Sequence, residues 1–139
     1  DAHFAPKATI RQSKLVRPLA FGMLNDSHAK EAERLLIEAI EERNYKIGTG
    51  FLSTPLILPL LTELGHADIA YRMLENEKSP GWLYEVRSGA TTIWEEWEGE
   101  KASLNHYSPG SVCQWIFETV CGVKVSGRNR FTVAPIPGG

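Results

Sequence analysis

Glu95, Glu96 and Glu98 stand beside Trp94 and Trp97 in the stretch Gly89–Gly99, which carries no other charge. Sugar sites need this pairing. Aromatic faces stack on the apolar faces of a pyranose, and carboxylates bind hydroxyls or move protons. In an extended segment, alternation puts Ile93, Glu95 and Trp97 on one face and Thr92, Trp94 and Glu96 on the other. Glu95 would then sit among apolar groups, where desolvation raises a carboxyl pKa toward a value useful for acid/base work. The plainer alternative is a hydrophobic loop capped by surface glutamates.

His106, in Asn105-His106-Tyr107, precedes a helix start. It either tidies that helix entry by hydrogen bonds or contacts a hydroxyl or catalytic water. His3, His28 and His66 read as loop or surface residues. Gly48-Thr49-Gly50 lacks the spacing and preceding strand of a phosphate loop. No Ser/His/Asp set, zinc motif or basic-aromatic stripe is present, and no cofactor or metal is called for. Cys113 and Cys121 are the only cysteines. In one helix they would lie about 12 Å apart, too far for a disulfide, and they read as small core residues.

Helices must position these groups. Asn25-Asp26-Ser27 offers N-cap chemistry, and a helix over 28–43 has Leu35, Leu36, Ala39 and Ile40 as its inward stripe. Thr54-Pro55 starts a helix to Leu64 that is apolar nearly all round and stops at Gly65. A second follows over 67–76, with Ile69, Ala70, Met73 and Leu74 inward, so the two form an antiparallel pair. Leu15, Leu19 and Met23 allow a short or broken helix ending near Gly22, with Pro18 interrupting it. Trp82–Val86 and Ala90–Trp94, separated by Ser88-Gly89, read as a short β-hairpin or extended loop. Ser108-Pro109 starts a helix over 109–121, with Val112, Ile116 and Val120 on one stripe and Cys113, Phe117 and Cys121 beside it. Arg130–Pro135 reads as a strand.

The 139 residues suffice for one domain with a core, and the formal net charge of −2 gives no case for nucleic acid or an anionic membrane. Leu56–Leu61 is too short to span a bilayer. Asp1-Ala2-His3, without an initiating Met, reads as a processed or cut start and leaves the compartment open.

Several segments together resemble the bacterial α-L-rhamnosidases of glycoside hydrolase family 78. Thr49-Gly50-Phe51-Leu52-Ser53-Thr54-Pro55, with Leu58-Pro59-Leu60-Leu61 and Gly65, is similar to that family's T-G-F-x-[GS]-T-P…L-P-x-L…G segment. Asp68–Leu74 resembles its D-x-A-Y-R-L-L helix, Gly89–Glu95 its G-A-T-T-[IL]-W-E motif, and Asn105-His106-Tyr107 its N-H-Y. Arg130–Pro135 with Pro137-Gly138-Gly139 is similar to the strand that leads from the barrel into a C-terminal β-sandwich.

The resemblance implies a mainly α fold, part of an (α/α)6 helical toroid, with a short β-hairpin and a C-terminal strand. Residues 19–139 would form this partial toroid, after a weakly patterned segment 1–18. It further implies hydrolysis of terminal α-L-rhamnosides with inversion, Glu95 as general base, His106 as a sugar contact, and Trp94 and Trp82 near the pocket. The ligand would be a rhamnose-containing carbohydrate. Two departures follow. The Glu95–His106 link is shorter than in many relatives, and the family's general-acid segment lies upstream of these residues. An inverting glycosidase needs both carboxylates, about 6.5–9.5 Å apart, so the isolated chain is expected to be inactive. A half-barrel would also leave Leu56–Leu64 uncovered, which predicts a homo-oligomer. The alternatives are another helical-toroid glycosidase, or a non-catalytic carbohydrate-binding or scaffold module.

Overall fold

The computed structural model describes residues 11–99 and 101–138; His3 and most of the N-terminal segment lie outside them. Helix α1 (Gln12–Ala20) packs on α2 (Asp26–Glu42), and α3 (Thr54–Glu63) packs on α4 (Ala67–Leu74). After α5 (Trp82–Arg87) come α6 (Tyr107–Gly110), α7 (Val112–Trp115) and a π-helical turn, Ile116–Val120. The antiparallel strands β1 (Val123–Gly127) and β2 (Arg130–Val133) follow. Helix α3 is central: it touches α1, α6 and α7 besides its partner α4.

Helix α3 is apolar nearly all round, and one face of it is fully buried. Ile57, Leu58, Leu60 and Leu61, at positions i, i+1, i+3 and i+4, share one broad face and all are buried, whereas Leu56, Pro59 and Leu64 are half-buried. Within the chain α1, α4, α6 and α7 cover that face, and the side bearing Leu56 and Pro59 is covered only in part. Helix α2 begins as its cap chemistry suggests, the Asn25 side chain accepting the His28 N–H at 3.0 Å. Pro18 lies near the end of α1 and does not break it. The helix then closes at Gly22, whose N–H donates to Leu19 while that of Met23 donates to Pro18.

Trp82–Trp94 is not a β-hairpin. Its first half is α5, which buries Trp82 and Glu85 three residues apart on one face. Its second half is an irregular loop. Ser88-Gly89 is a helix C-cap: Gly89 has φ +85, its N–H bonds the Val86 carbonyl, and the Ala90 N–H bonds the Glu85 carbonyl. Those two bonds are the Schellman pattern. The two-stranded hairpin lies instead at β1–β2, and β1 was not expected.

The helix expected over 109–121 is divided. A bond from the Cys121 N–H to the Ile116 carbonyl closes the wider π turn. Winding changes there, and Trp115 and Thr119 are buried while Cys113 and Cys121 are exposed and free. The cysteines are thus not core residues. Trp115 ties this segment to α3, its indole N–H donating to Thr62 Oγ1 at 2.9 Å.

Candidate active site

The segments around Glu95 and His106 run side by side. The Glu95 N–H donates to the Ser103 carbonyl at 2.9 Å, and the His106 N–H donates to Ile93 at 3.0 Å. The Glu95 carboxylate also accepts the Ser103 N–H at 3.1 Å, and the Thr92 hydroxyl donates to the Leu104 carbonyl. Glu95 is half-buried, whereas its neighbour Glu96 is exposed. Trp94 packs its ring on Gly99, where an added Cβ would lie 2.4 Å from the ring. Ile93 and Trp97 pack against the core, Trp97 meeting Trp82 edge-on with centroids 5.6 Å apart.

His106 occupies the N-cap position of α6, its Nδ1 accepting the Ser108 N–H at 3.2 Å. The helix-entry role is therefore present. The ring also stacks between Phe51, at 4.6 Å, and Tyr107, at 4.9 Å. Ser108 Oγ donates to the Phe51 carbonyl at 2.7 Å. These contacts bring the Thr49–Pro55 loop, the Gly89–Glu95 loop and Asn105–Tyr107 together.

A buried residue holds the first loop. Gln12 is 1% exposed. Its Oε1 accepts the Gly48 N–H at 2.7 Å and its Nε2 donates to the Lys46 carbonyl at 3.1 Å. A Cβ on Gly48 would lie 2.7 Å from Gln12 Cδ, so the loop approaches α1 too closely for any other residue without displacement. Thr54 Oγ1 donates to the Gly50 carbonyl at 3.1 Å and closes the turn into α3.

Trp82 is buried, and its indole N–H donates to the Pro109 carbonyl at 2.9 Å. It borders a cleft of about 400 Å³ lined also by Leu74, Glu85, Val86, Thr91 and Ile93. Trp94, Glu95 and His106 do not line it. Glu85 was not singled out from the sequence. It is 2% exposed, and burial pushes its carboxyl up to about 7 against the opposing effect of the Trp94 N–H. That N–H bonds Glu85 Oε2 at 3.1 Å, while Oε1 has no partner among the described residues. Its position three residues after Trp82 would have exposed it, had the segment been read as a helix.

Among the described residues no cluster of three His, Cys, Asp or Glu side chains is arranged to hold a metal ion. No described helix is long and apolar enough to cross a membrane.

The family model for the bacterial α-L-rhamnosidase six-hairpin glycosidase domain matches residues 5–120. The chain belongs to this family. An α-L-rhamnosidase of Formosa agariphila is 38% identical over 93% of the chain, which covers 15% of that enzyme. The crystal structure of Streptomyces avermitilis α-L-rhamnosidase complexed with L-rhamnose matches with a TM-score of 0.84 and 37% identity, over 92% of this chain and 14% of that one. The native Aspergillus terreus enzyme matches at 0.86 and 34%, over 96% and 17%. The chain thus spans about one-seventh of the length of the relatives it matches. It is a mainly helical piece of the six-hairpin glycosidase domain with a short two-stranded hairpin.

Proposed function

We propose that this chain supplies the general-base side of an α-L-rhamnosidase active site that works with inversion. The observation that carries the reading is the bonding of the Glu95 segment to the His106 segment, with Phe51 stacked on the histidine. Three loops meet there, and in this reading an acidic group, an imidazole and aromatic rings serve one sugar. The rhamnose bound to the Streptomyces avermitilis relative supports L-rhamnose as that sugar.

In this reading Glu95 takes a proton from a water as the water oxygen bonds to the anomeric carbon. The bond from that carbon to the aglycone oxygen breaks on the opposite face, and the leaving oxygen takes a proton from a carboxylic acid outside this chain. The two roles open to His106 are compatible, because they use different nitrogens. With Nδ1 accepting from Ser108, the neutral ring carries its proton on Nε2 and can donate it to a sugar hydroxyl. Trp94 borders the sugar in this reading, and Trp82, buried and lining a cleft that Glu95 and His106 do not, packs behind it without touching the sugar. The isolated chain is inactive on this reading because it carries one of the two carboxylates.

The test is hydrolysis of an aryl α-L-rhamnoside by a full-length protein containing this chain and by its Glu95→Gln variant. A fall of about 10²–10⁴-fold in kcat is expected. Wild-type turnover by the variant removes Glu95 as the base. Full turnover by the 139-residue chain alone would show that a second acid is present within it.

A further inference from the structure

We propose that Glu85 is a positioning residue for Glu95, holding the loop that carries it through the Trp94 amide; this rests on the reading of Glu95 as the base. Both ends of the intervening loop are tied to this one residue. Its main-chain carbonyl takes the Ala90 N–H at 3.0 Å, and its carboxylate takes the Trp94 N–H at 3.1 Å. The next amide, that of Glu95, bonds Ser103. Successive N–H groups are thus held by different partners, Trp94 by α5 and Glu95 by the Ser103 segment. Two successive amides leading into the base are held, one on either side of the Trp94 α-carbon.

The choice of residue type argues in the same direction. Glu85 is almost fully buried beside Leu74, Trp82, Val86 and Ile93, and no cation bonds it among the described residues. A methionine would fill such a place without the cost of desolvating a carboxyl. What the carboxyl adds is an acceptor for the Trp94 N–H, which a methionine lacks. It is directed at the amide immediately before Glu95. Burial raises the carboxyl toward neutrality, and the Trp94 N–H acts against that.

The test uses one full-length protein containing this chain, with two readouts: hydrogen exchange of a peptide containing Trp94, and kinetics on an aryl α-L-rhamnoside. In Glu85→Met, exchange at Trp94 should accelerate while that of α2 is unchanged. Misplacing a catalytic group by about 1 Å costs up to about 10²-fold, so kcat should fall about 10–100-fold with KM changed much less. Glu85→Gln offers an amide oxygen to the same N–H and should restore most of both. Wild-type exchange or wild-type kcat in Glu85→Met overturns the proposal, as does an equal loss in Glu85→Gln. If Glu85→Met also loosens α2, Glu85→Asp decides: a fall in kcat with α2 intact supports the proposal, and unchanged kcat overturns it. Glu95→Gln separates the two ideas. Wild-type turnover there sinks the base assignment, whereas its loss beside an unaffected Glu85→Met sinks only the positioning role.

Discussion

The loop at Lys46–Gly50 and the loop at Ala90–Trp94 are each tied to the helical body by one buried side chain, and the ties differ in kind. Gln12 is neutral, and both its oxygen and its nitrogen are bonded to the loop backbone. Glu85 is a carboxyl with one oxygen bonded to Trp94 and the other without a partner among the described residues. A neutral, satisfied amide gives rigidity at little electrostatic cost. A carboxyl in the same kind of setting costs stability, and the cost depends on pH. The loop leading to Phe51 is therefore built for permanence, and the loop leading to Glu95 for strong placement of one amide.

The largest effect should come from breaking the satisfied tie. Gln12→Ala leaves the Lys46 carbonyl and the Gly48 N–H without partners and opens a hole against Gly48. Each unsatisfied buried group costs about 1–3 kcal/mol. A loss of about 2–6 kcal/mol in unfolding free energy is expected, measured by denaturant titration and nearly independent of pH. A loss below about 0.5 kcal/mol would mean that water replaces the side chain.

The other tie should respond to pH. The Glu85 carboxyl sits at about 7 in the folded chain, above its ordinary value of 4.5. As pH rises from about 4.5 to 7 the unfolded chain releases this proton first, so the wild type loses stability through that window. Above about 8 both states are ionised and the loss is complete, of order 3 kcal/mol from the size of the shift. Glu85→Gln lacks this dependence. Its stability relative to wild type should therefore rise between pH 4.5 and 8 and be flat outside that window. Parallel curves for the two proteins would show that Glu85 is not buried as described.

The same contrast explains what the sequence revealed. Helices α2, α3 and α4 announce themselves through caps, a proline start and apolar stripes. Gly65 was read as the end of α3, and it closes that helix by bonds from its own N–H to Thr62 and from His66 to Leu61. Gly89 does the same for α5. There the aromatic texture of Trp82–Val86 suggested strand, and the helix is too short for periodicity to outweigh it. Glu85 was lost with that helix, because its burial follows from sharing a face with Trp82. The π turn at Ile116–Val120 is similarly invisible, since one extra residue per turn rotates Cys121 outward without any signal in composition. The helix-entry role of His106 was legible because its position before Ser108-Pro109 marks a helix start.

The smallest effect should come from the contact that joins the Phe51 loop to the start of α6. Ser108 is fully buried, and its hydroxyl donates to the Phe51 carbonyl at 2.7 Å. Ser108→Ala removes that bond alone. The Ser108 amide still donates to His106 Nδ1, and the Ser108 carbonyl still accepts from Ser111 Oγ. Phe51 lies in an exposed loop, so its carbonyl can turn to water. The loss should be about 1 kcal/mol, the net value of one ordinary hydrogen bond. The informative readout is the imidazole. Nitrogen chemical shifts of His106 should keep the tautomer with its proton on Nε2, because the bond that fixes it is untouched. The ring of Phe51 should move off His106, visible as a change in ring-current shifts. A switch of tautomer in this variant would mean that the histidine is oriented by the Phe51 loop rather than by the start of α6.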